Sequence, residues 1–336
     1  MRATWDLLRG PRGIRILYLH RVIDDHTSPG SDWPRAIGYF TRSQFERAIR
    51  RLIRRYEPIS LERCVELLSS GEDPGADRVV LTFDDGYADN LRNACPVLRE
   101  LKIPATFYVA SGPVLDGKAL WFDQVYAAFA AASSASINLP WLEGKLPRAL
   151  RARLALARRV VADLKRLPDS ERRERLASLL DFLEYSGQPG AGYRMMTPDE
   201  VRGIARDPLF AIGGHTCSHP ILSTMPDSAA RDEIQRCRDE LCSVVGEAPR
   251  HFAYPNGKEE DILPQHALLV QSAGFLSAST TVEGLNLPGD GLYSLKRTSF
   301  PAGRGGRVAR LIKRPFRLPG LSRQGLRERP QRTALR

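Results

Sequence analysis

The chain has 336 residues, enough for one large domain or two modest ones, and its 42% of hydrophobic residues can supply an ordinary core. The net charge of +11 is local: residues 301–336 hold eleven Lys/Arg against the single acid Glu328, so +10 sits in a tail and about +1 in the rest. A nearly neutral body without a basic groove signature disfavours nucleic acid as the partner. No apolar run approaches the ~20 residues of a membrane-spanning helix.

The five cysteines (Cys64, Cys95, Cys217, Cys237, Cys242) are scattered and form no Cys-x-x-Cys pair, which points to a reducing compartment. The first residues, Met1-Arg2-Ala3-Thr4-Trp5, open no long apolar core and no small-residue cleavage site. A cytoplasmic location is therefore expected. The tail is rich in Arg, Gly and Pro, and residues 304–336 are expected to be disordered. Leu311-Ile312, Phe316 and Leu318 stand between its basic residues, so an anionic membrane surface is a candidate partner, with the chain peripheral at an inner membrane.

Ile14–Leu19 reads as a buried strand that ends at His20. Gln44–Arg55 carries apolar residues at helical spacing, and Leu61–Leu68 predicts a second short helix. Val79–Phe83 is a strand, Asn90–Leu101 a helix and Ala105–Val109 the next strand. This alternation with short connections argues for an α/β fold with a parallel sheet or barrel. It stops at the long, charged helical stretch Arg148–Leu183, whose Leu150, Leu154, Ala157, Val161, Leu164 and Leu167 form one apolar stripe. Pro168-Asp169-Ser170-Glu171 marks a stop and restart, with Asp169 or Ser170 as N-cap. This stretch is read as a helical hairpin inserted at about residues 115–195, too short for a core of its own.

Thr197-Pro198-Asp199-Glu200 carries a capping box and begins the next helix. Phe210–Gly214 is a strand running into His215, Asp227–Val245 a long amphipathic helix, and His251–Tyr254 a strand. Leu263–Ala273 is a helix, Phe275–Thr281 a strand, and Tyr293–Leu295 is expected to be the last strand.

Two adjacent acids, Asp84-Asp85, end one strand and precede a glycine. Neighbouring strand residues point to opposite sides, so the two acids can hold different jobs in one pocket, one binding a metal and the other handling a proton. His215 and His219 follow another strand, and their i, i+4 spacing shares a face if the segment is helical. Two His and a carboxylate suit zinc or another divalent ion with a position left open for water.

The segments Thr82-Phe83-Asp84-Asp85-Gly86-Tyr87, His215-Thr216-Cys217-Ser218-His219-Pro220 and Arg250-His251-Phe252-Ala253-Tyr254-Pro255-Asn256-Gly257 resemble, in order, three motifs of the polysaccharide deacetylase family, the NodB-homology group of carbohydrate esterases. The resemblance covers roughly Ile14 to Pro301, outside the helical insertion. It implies a distorted (β/α) barrel over residues 1–303 and hydrolysis of an N-acyl group, usually N-acetyl, from an amino sugar. It also implies Asp84 as general base, Asp85, His215 and His219 as ligands of a divalent metal, usually Zn2+, and the amide of Asn256 as oxyanion donor.

Two departures matter. Many members take the general acid from a late Leu-x-His, but here Leu295-Lys296-Arg297 stands in that place and no His follows His266. Tyr18-Leu19-His20-Arg21-Val22 resembles the arrangement of exported poly-N-acetylglucosamine deacetylases, which makes His20 the expected acid. Chitin-deacetylase-like members orient the base with an Arg at the position of Ala253; here Arg297 is the expected substitute, with Arg250 a second candidate. Trp121 is expected to stack on a sugar and Tyr87 to line the pocket.

The substrate expected is an amino-sugar glycan or its lipid-linked precursor. The competing readings are a deformylase or other amidohydrolase acting on a small or lipid-linked N-acyl amine, and an inactive carbohydrate-binding member, which the intact Asp84, Asp85, His215 and His219 disfavour.

Overall fold

The computed structural model describes residues 13–26, 39–187 and 191–300. The basic tail expected to be disordered lies outside the described residues. Seven parallel strands form the frame: β1 (Ile14–Leu19), β5 (Arg78–Phe83), β6 (Ala105–Val109), β9 (Phe210–Gly214), β10 (His251–Ala253), β11 (Ser277–Ser279) and β12 (Arg297–Ser299). Their order is β11-β10-β9-β6-β5-β1-β12, and the short β4 (Glu57–Pro58) pairs with β5. A parallel bridge from Ser279 to Leu295 brings the two ends of this sheet together, so the barrel is nearly closed. A separate parallel pair, β2 (Arg21–Ile23) and β3 (Tyr39–Thr41), lies outside it.

Period-two alternation assigns the two faces of each strand. On β1 and β5, Leu17, Leu19, Val79, Leu81 and Phe83 join the main core against the surrounding helices. Ile14, Ile16 and Val80 face the other way and join a smaller cluster with Tyr108 and Ala253. Two and four residues beyond Val80, on the same side, come Thr82 and Asp84. The register Leu19↔Phe83 then sets His20 and Asp84 next to each other at the C-terminal rim. Parallel barrels place their chemistry at that rim.

The helices are α1 (Arg42–Leu52), α2 (Leu61–Ser70), α3 (Cys95–Glu100), α4 (Ser111–Asp116), α5 (Trp121–Ala131), α6 (Leu150–Leu164), α7 (Asp169–Phe182), α8 (Pro198–Ala205), α9 (Asp227–Val245) and α10 (Pro264–Ser272). The Asn90–Leu101 prediction resolves into a π-helical turn, Asn90–Ala94, leading into α3. The Thr197/Glu200 capping box is formed in both directions.

The insertion is more than a hairpin. It begins with α5, continues through an antiparallel ribbon of β7 (Ser136–Leu139) and β8 (Leu142–Lys145), and ends with α6 and α7. Ala157, Val161 and Leu164 of the expected stripe are buried in the same cluster as Phe107 and Val125. Neither Asp169 nor Ser170 caps α7. The N-cap is Pro168, and the Asp169 carboxylate is engaged by Arg172 and Arg173.

Tyr293–Leu295 is not the last strand. Leu292–Ser294 is a 3-10 turn, and β12 begins at Arg297. The apolar run resembles a strand, but Leu295 packs its side chain beneath the barrel while its carbonyl accepts from the Thr280 amide.

Candidate active site

A cavity of about 400 Å3 opens at the C-terminal rim, and Asp84, Asp85, His215, His219, His20 and Asn256 all face it. Each follows a strand: His20 after β1, the acids after β5, the imidazoles after β9 and Asn256 after β10.

Beneath Asp84 lies Arg297, whose side chain is fully buried. Its Nη1 and Nη2 donate to Asp84 Oδ1 and Oδ2 at 2.7 and 2.8 Å, a bidentate pair. Nε donates to the Thr280 carbonyl at 2.7 Å, and Nη1 also reaches Thr82 Oγ1 at 3.2 Å. The guanidinium lies 4.9 Å from the Tyr18 ring and 5.5 Å from that of Tyr108. Burial alone would raise the Asp84 pKa, but the Arg297 charge, His215 and the Arg297 hydrogen bonds outweigh it and hold the carboxyl below its usual range. Asp84 is thus an ionised carboxylate with a fixed orientation.

Asp85 points the other way. Its Oδ1 lies 3.2 Å from His219 Nε2 and 3.5 Å from His215 Nε2, and the three donor atoms fall within 4.8 Å of one another. His215 Nδ1 is 2.7 Å from the Ala253 carbonyl. A carbonyl only accepts, so Nδ1 carries the proton and Nε2 presents its lone pair to the cluster. Asp85 Oδ1 is buried with no hydrogen bond of ordinary geometry. The donor chemistry, two imidazole nitrogens and a carboxylate oxygen, and this unsatisfied oxygen both fit a divalent cation.

Residues 215–219 are not helical. Thr216 and His219 take positive φ (63° and 57°), and these left-handed turns bring the two imidazoles together instead of a helix face. Gly213 permits the approach of β9: a Cβ there would lie 2.4 Å from the Tyr108 ring. The loop is held by Glu233 of α9, which accepts from the Ser218 amide and hydroxyl at 2.7 and 2.6 Å.

His20 is half-buried, its ring edge-on to Tyr18 at 5.9 Å, and its imidazole makes no hydrogen bond among the described residues. Asn90 Nδ2 donates to its carbonyl at 2.9 Å. Asn256, at φ 59°, is fixed by Thr281 Oγ1 on its carbonyl and by Asp261 on its side-chain amide. Its backbone N–H makes no hydrogen bond among the described residues, so it is free to donate into the cavity.

Three expected site residues stand elsewhere. Trp121 is 6% exposed; its Nε1 donates to the His219 carbonyl at 3.1 Å and the Arg172 guanidinium covers its ring at 4.6 Å. It braces a ligand loop and offers no face to a sugar. Arg250 lies at the N-terminal end of β10, with Ala253 and Asn256 at the other, and pairs with Glu62 at 3.1 Å. It does not reach the cavity. Tyr87 is fully buried; its hydroxyl donates to Asp123 Oδ2 at 2.6 Å and the Arg21 guanidinium sits 4.1 Å from its ring.

Asp123 gives a test of this buried network. Burial pushes its carboxyl up to about 7. Between the ordinary 3.8 and about 7 the folded chain therefore binds more protons than the unfolded one, and stability falls as pH rises through that window. Asp123→Asn keeps an acceptor for Tyr87 and removes the titration. Thermal melts of variant and parent are expected to converge near pH 4 and to diverge in favour of the variant by pH 8; a pH-independent difference would refute the assignment.

Glu233, Thr82, Tyr108 and Lys165 are site residues that sequence reading missed. Glu233 is a buried acid within the apolar stripe of α9 (Ala230, Ile234, Cys237, Leu241), a detectable anomaly. Thr82 and Tyr108 follow from strand alternation. Lys165 had no local signal: it caps α6 of the insertion, reaches the cavity, and donates from Nζ to Asn256 Oδ1 at 3.0 Å.

An Asp–His–His cluster whose donors fit a divalent cation and an ionised carboxylate share one mouth, an arrangement suited to hydrolysis. The family of hydrolase follows from comparison. The polysaccharide deacetylase family model matches residues 71–166 and 169–275, and the chain belongs to that family of sugar N-deacetylases. Solved structures share the fold. The Streptococcus pyogenes deacetylase PplD, in complex with acetate, is 18% identical with TM-score 0.59, covering 90% of this chain and 97% of that one. IcaB from Ammonifex degensii is 18% identical (TM-score 0.55; 86% and 91% covered). A de-N-acetylase from Aggregatibacter actinomycetemcomitans is 15% identical (TM-score 0.55; 89% and 99% covered). Curated protein sequences yield no match.

Proposed function

We propose that this chain is a divalent-metal-dependent deacetylase that removes N-acetyl groups from amino sugars of a polysaccharide or a lipid-linked glycan precursor, with zinc the favoured ion. The observation that carries this reading is the bidentate Asp84–Arg297 pair beside the Asp85–His215–His219 cluster. An amide carbonyl is a poor electrophile, and a divalent ion held by those three residues would polarise it and acidify the attacking water.

The remaining work falls to side chains and one amide. Asp84, oriented by Arg297, takes the proton of the water. The Asn256 N–H donates to the oxygen on which negative charge develops. His20, on the opposite side of Asp84 from the imidazole cluster in strand order, gives a proton to the departing sugar amine. The imidazoles, the two acids and His20 thus follow β9, β5 and β1 in turn.

The test is release of acetate and formate from a panel of N-acylated oligosaccharides and lipid-linked sugars. Asp84→Asn is expected to lower acetate release by about 10²–10⁴-fold; undiminished turnover would reject Asp84 as base, and formate without acetate would favour a deformylase. We also propose that the basic tail holds the chain to an anionic membrane at its cytoplasmic face. Deleting Gly303–Arg336 is expected to release it from anionic vesicles at low salt; unchanged sedimentation with vesicles would oppose that.

A further inference from the structure

The inserted helices bring a cation, Lys165, into the catalytic cavity. Lys165 is half-buried, and its ammonium has three donors. One goes to Asn256 Oδ1, a neutral acceptor, and no carboxylate lies within ion-pair distance among the described residues. Burial accordingly lowers its pKa, only partly opposed by Asp85 and Asp261. Lys258, exposed on the same rim, adds a second ammonium whose ion-pair partner among the described residues is the exposed Glu260 at 3.4 Å. The two acids of the cavity do not serve Lys165, because Asp84 is taken by Arg297 and Asp85 by the imidazole cluster. With a divalent ion in that cluster, the cavity would carry a clear positive excess before substrate enters. Two unused N–H donors on a partly dehydrated ammonium fit an oxyanion.

Resting on the deacetylase reading above, we propose that Lys165 is a specificity-determining residue: it selects substrates in which the N-acylated sugar, or the unit joined to it, carries an anionic oxygen group, with Lys258 assisting at the rim. The shared chemistry is a phosphate or carboxylate oxygen placed within one sugar length of the acyl group. A phosphate is the group of a glycosyl phosphate or diphosphate, and a carboxylate that of an acidic sugar. The apolar wall of Phe122, Tyr126 and Val161 from the same insertion leaves the ammonium as the polar feature of that side.

The experiment separates substrate selection from turnover. In the Asp84→Asn background of the full chain loaded with Zn2+, calorimetry would measure binding of N-acetylglucosamine 1-phosphate, N-acetylmuramic acid and the uncharged methyl glycoside of N-acetylglucosamine. At least one anionic ligand is expected to bind about tenfold or more tightly than the uncharged one. Adding Lys165→Met should remove most of that preference, while Lys165→Arg should keep a substantial part. The phosphate and carboxylate arms show which source the site accepts. Preference that survives Lys165→Met would place the anion on the metal and overturn the proposal. Equal weakening of all three ligands would reduce Lys165 to a brace for Asn256 and also overturn it. Acetate release by the parent chain from the same three compounds is read in parallel. Turnover with no anionic preference defeats the selection and leaves the deacetylase reading intact, whereas anionic binding with no acetate release from these compounds or from the glycan panel defeats the deacetylase reading.

Discussion

Arg297→Met is expected to cost about 10²–10⁴-fold in acetate release and about 3–5 kcal/mol of stability. The reason is the environment of the pair. Arg297 is fully buried, Asp84 nearly so, and both oxygens of the carboxylate accept from the guanidinium. Removing the guanidinium leaves a dehydrated carboxylate with no counter-charge, so Asp84 takes up a proton and ceases to be a base at neutral pH. Lys is no remedy, because a single ammonium cannot span two oxygens and also reach the Thr280 carbonyl. The double variant Arg297→Met/Asp84→Asn separates the two effects. It is expected to recover most of the lost stability, since the unpaired charge is gone, and none of the activity. Stability that stays low in the double variant would mean that packing around Tyr18 and Tyr108, rather than charge, makes Arg297 necessary.

How much of this was legible beforehand depends on the kind of signal. The strands β1, β6 and β9 stand at the bounds that their apolar runs predict, because burial on both faces of a parallel sheet forces continuous hydrophobic runs. Asp84, Asp85 and His215 converge because each follows such a run directly, and the barrel gathers strand ends at one rim. What failed was local geometry that tertiary contacts decide. The His-x-x-x-His spacing shares a face only if the segment is helical, and here the imidazoles meet instead through left-handed turns stabilised by Glu233 from a distant helix. Trp121 and Tyr87 looked like pocket aromatics, but each has one polar atom that finds a buried acceptor, the His219 carbonyl or Asp123, and this draws the ring inward. Lys165 was invisible because its position depends on how the insertion folds over the rim. Nothing about residues 160–170 alone indicates that.

Dialysis against a chelator is expected to abolish acetate release, and Zn2+ or another divalent ion to restore it. It should also lower the unfolding temperature, because a ligand bound only by the folded state stabilises by about 2.7 kcal/mol at 100 times its Kd. The geometry of the rim explains why the shift should be large. Among the described residues, six non-glycine positions take positive φ, and four of them (Asp85, Thr216, His219, Asn256) belong to this rim. Each such residue costs on the order of 1–3 kcal/mol. Asp85 adds a buried oxygen without a hydrogen bond of ordinary geometry, and burial works against charge on His219, although the neighbouring imidazoles outweigh burial at Asp85 and hold its carboxyl well below the usual range. Strain and desolvation of this kind persist where a bound cation offsets them. Asp85→Asn should therefore remove the chelator's effect on unfolding. Trp121→Phe deletes only the donor to the His219 carbonyl and keeps an aromatic ring, so it should weaken the ion by about 10–100-fold, the usual scale for such supporting contacts. Acetate release and an unfolding temperature that are both unchanged after exhaustive chelation would show that Asp85, His215 and His219 hold each other and not a metal.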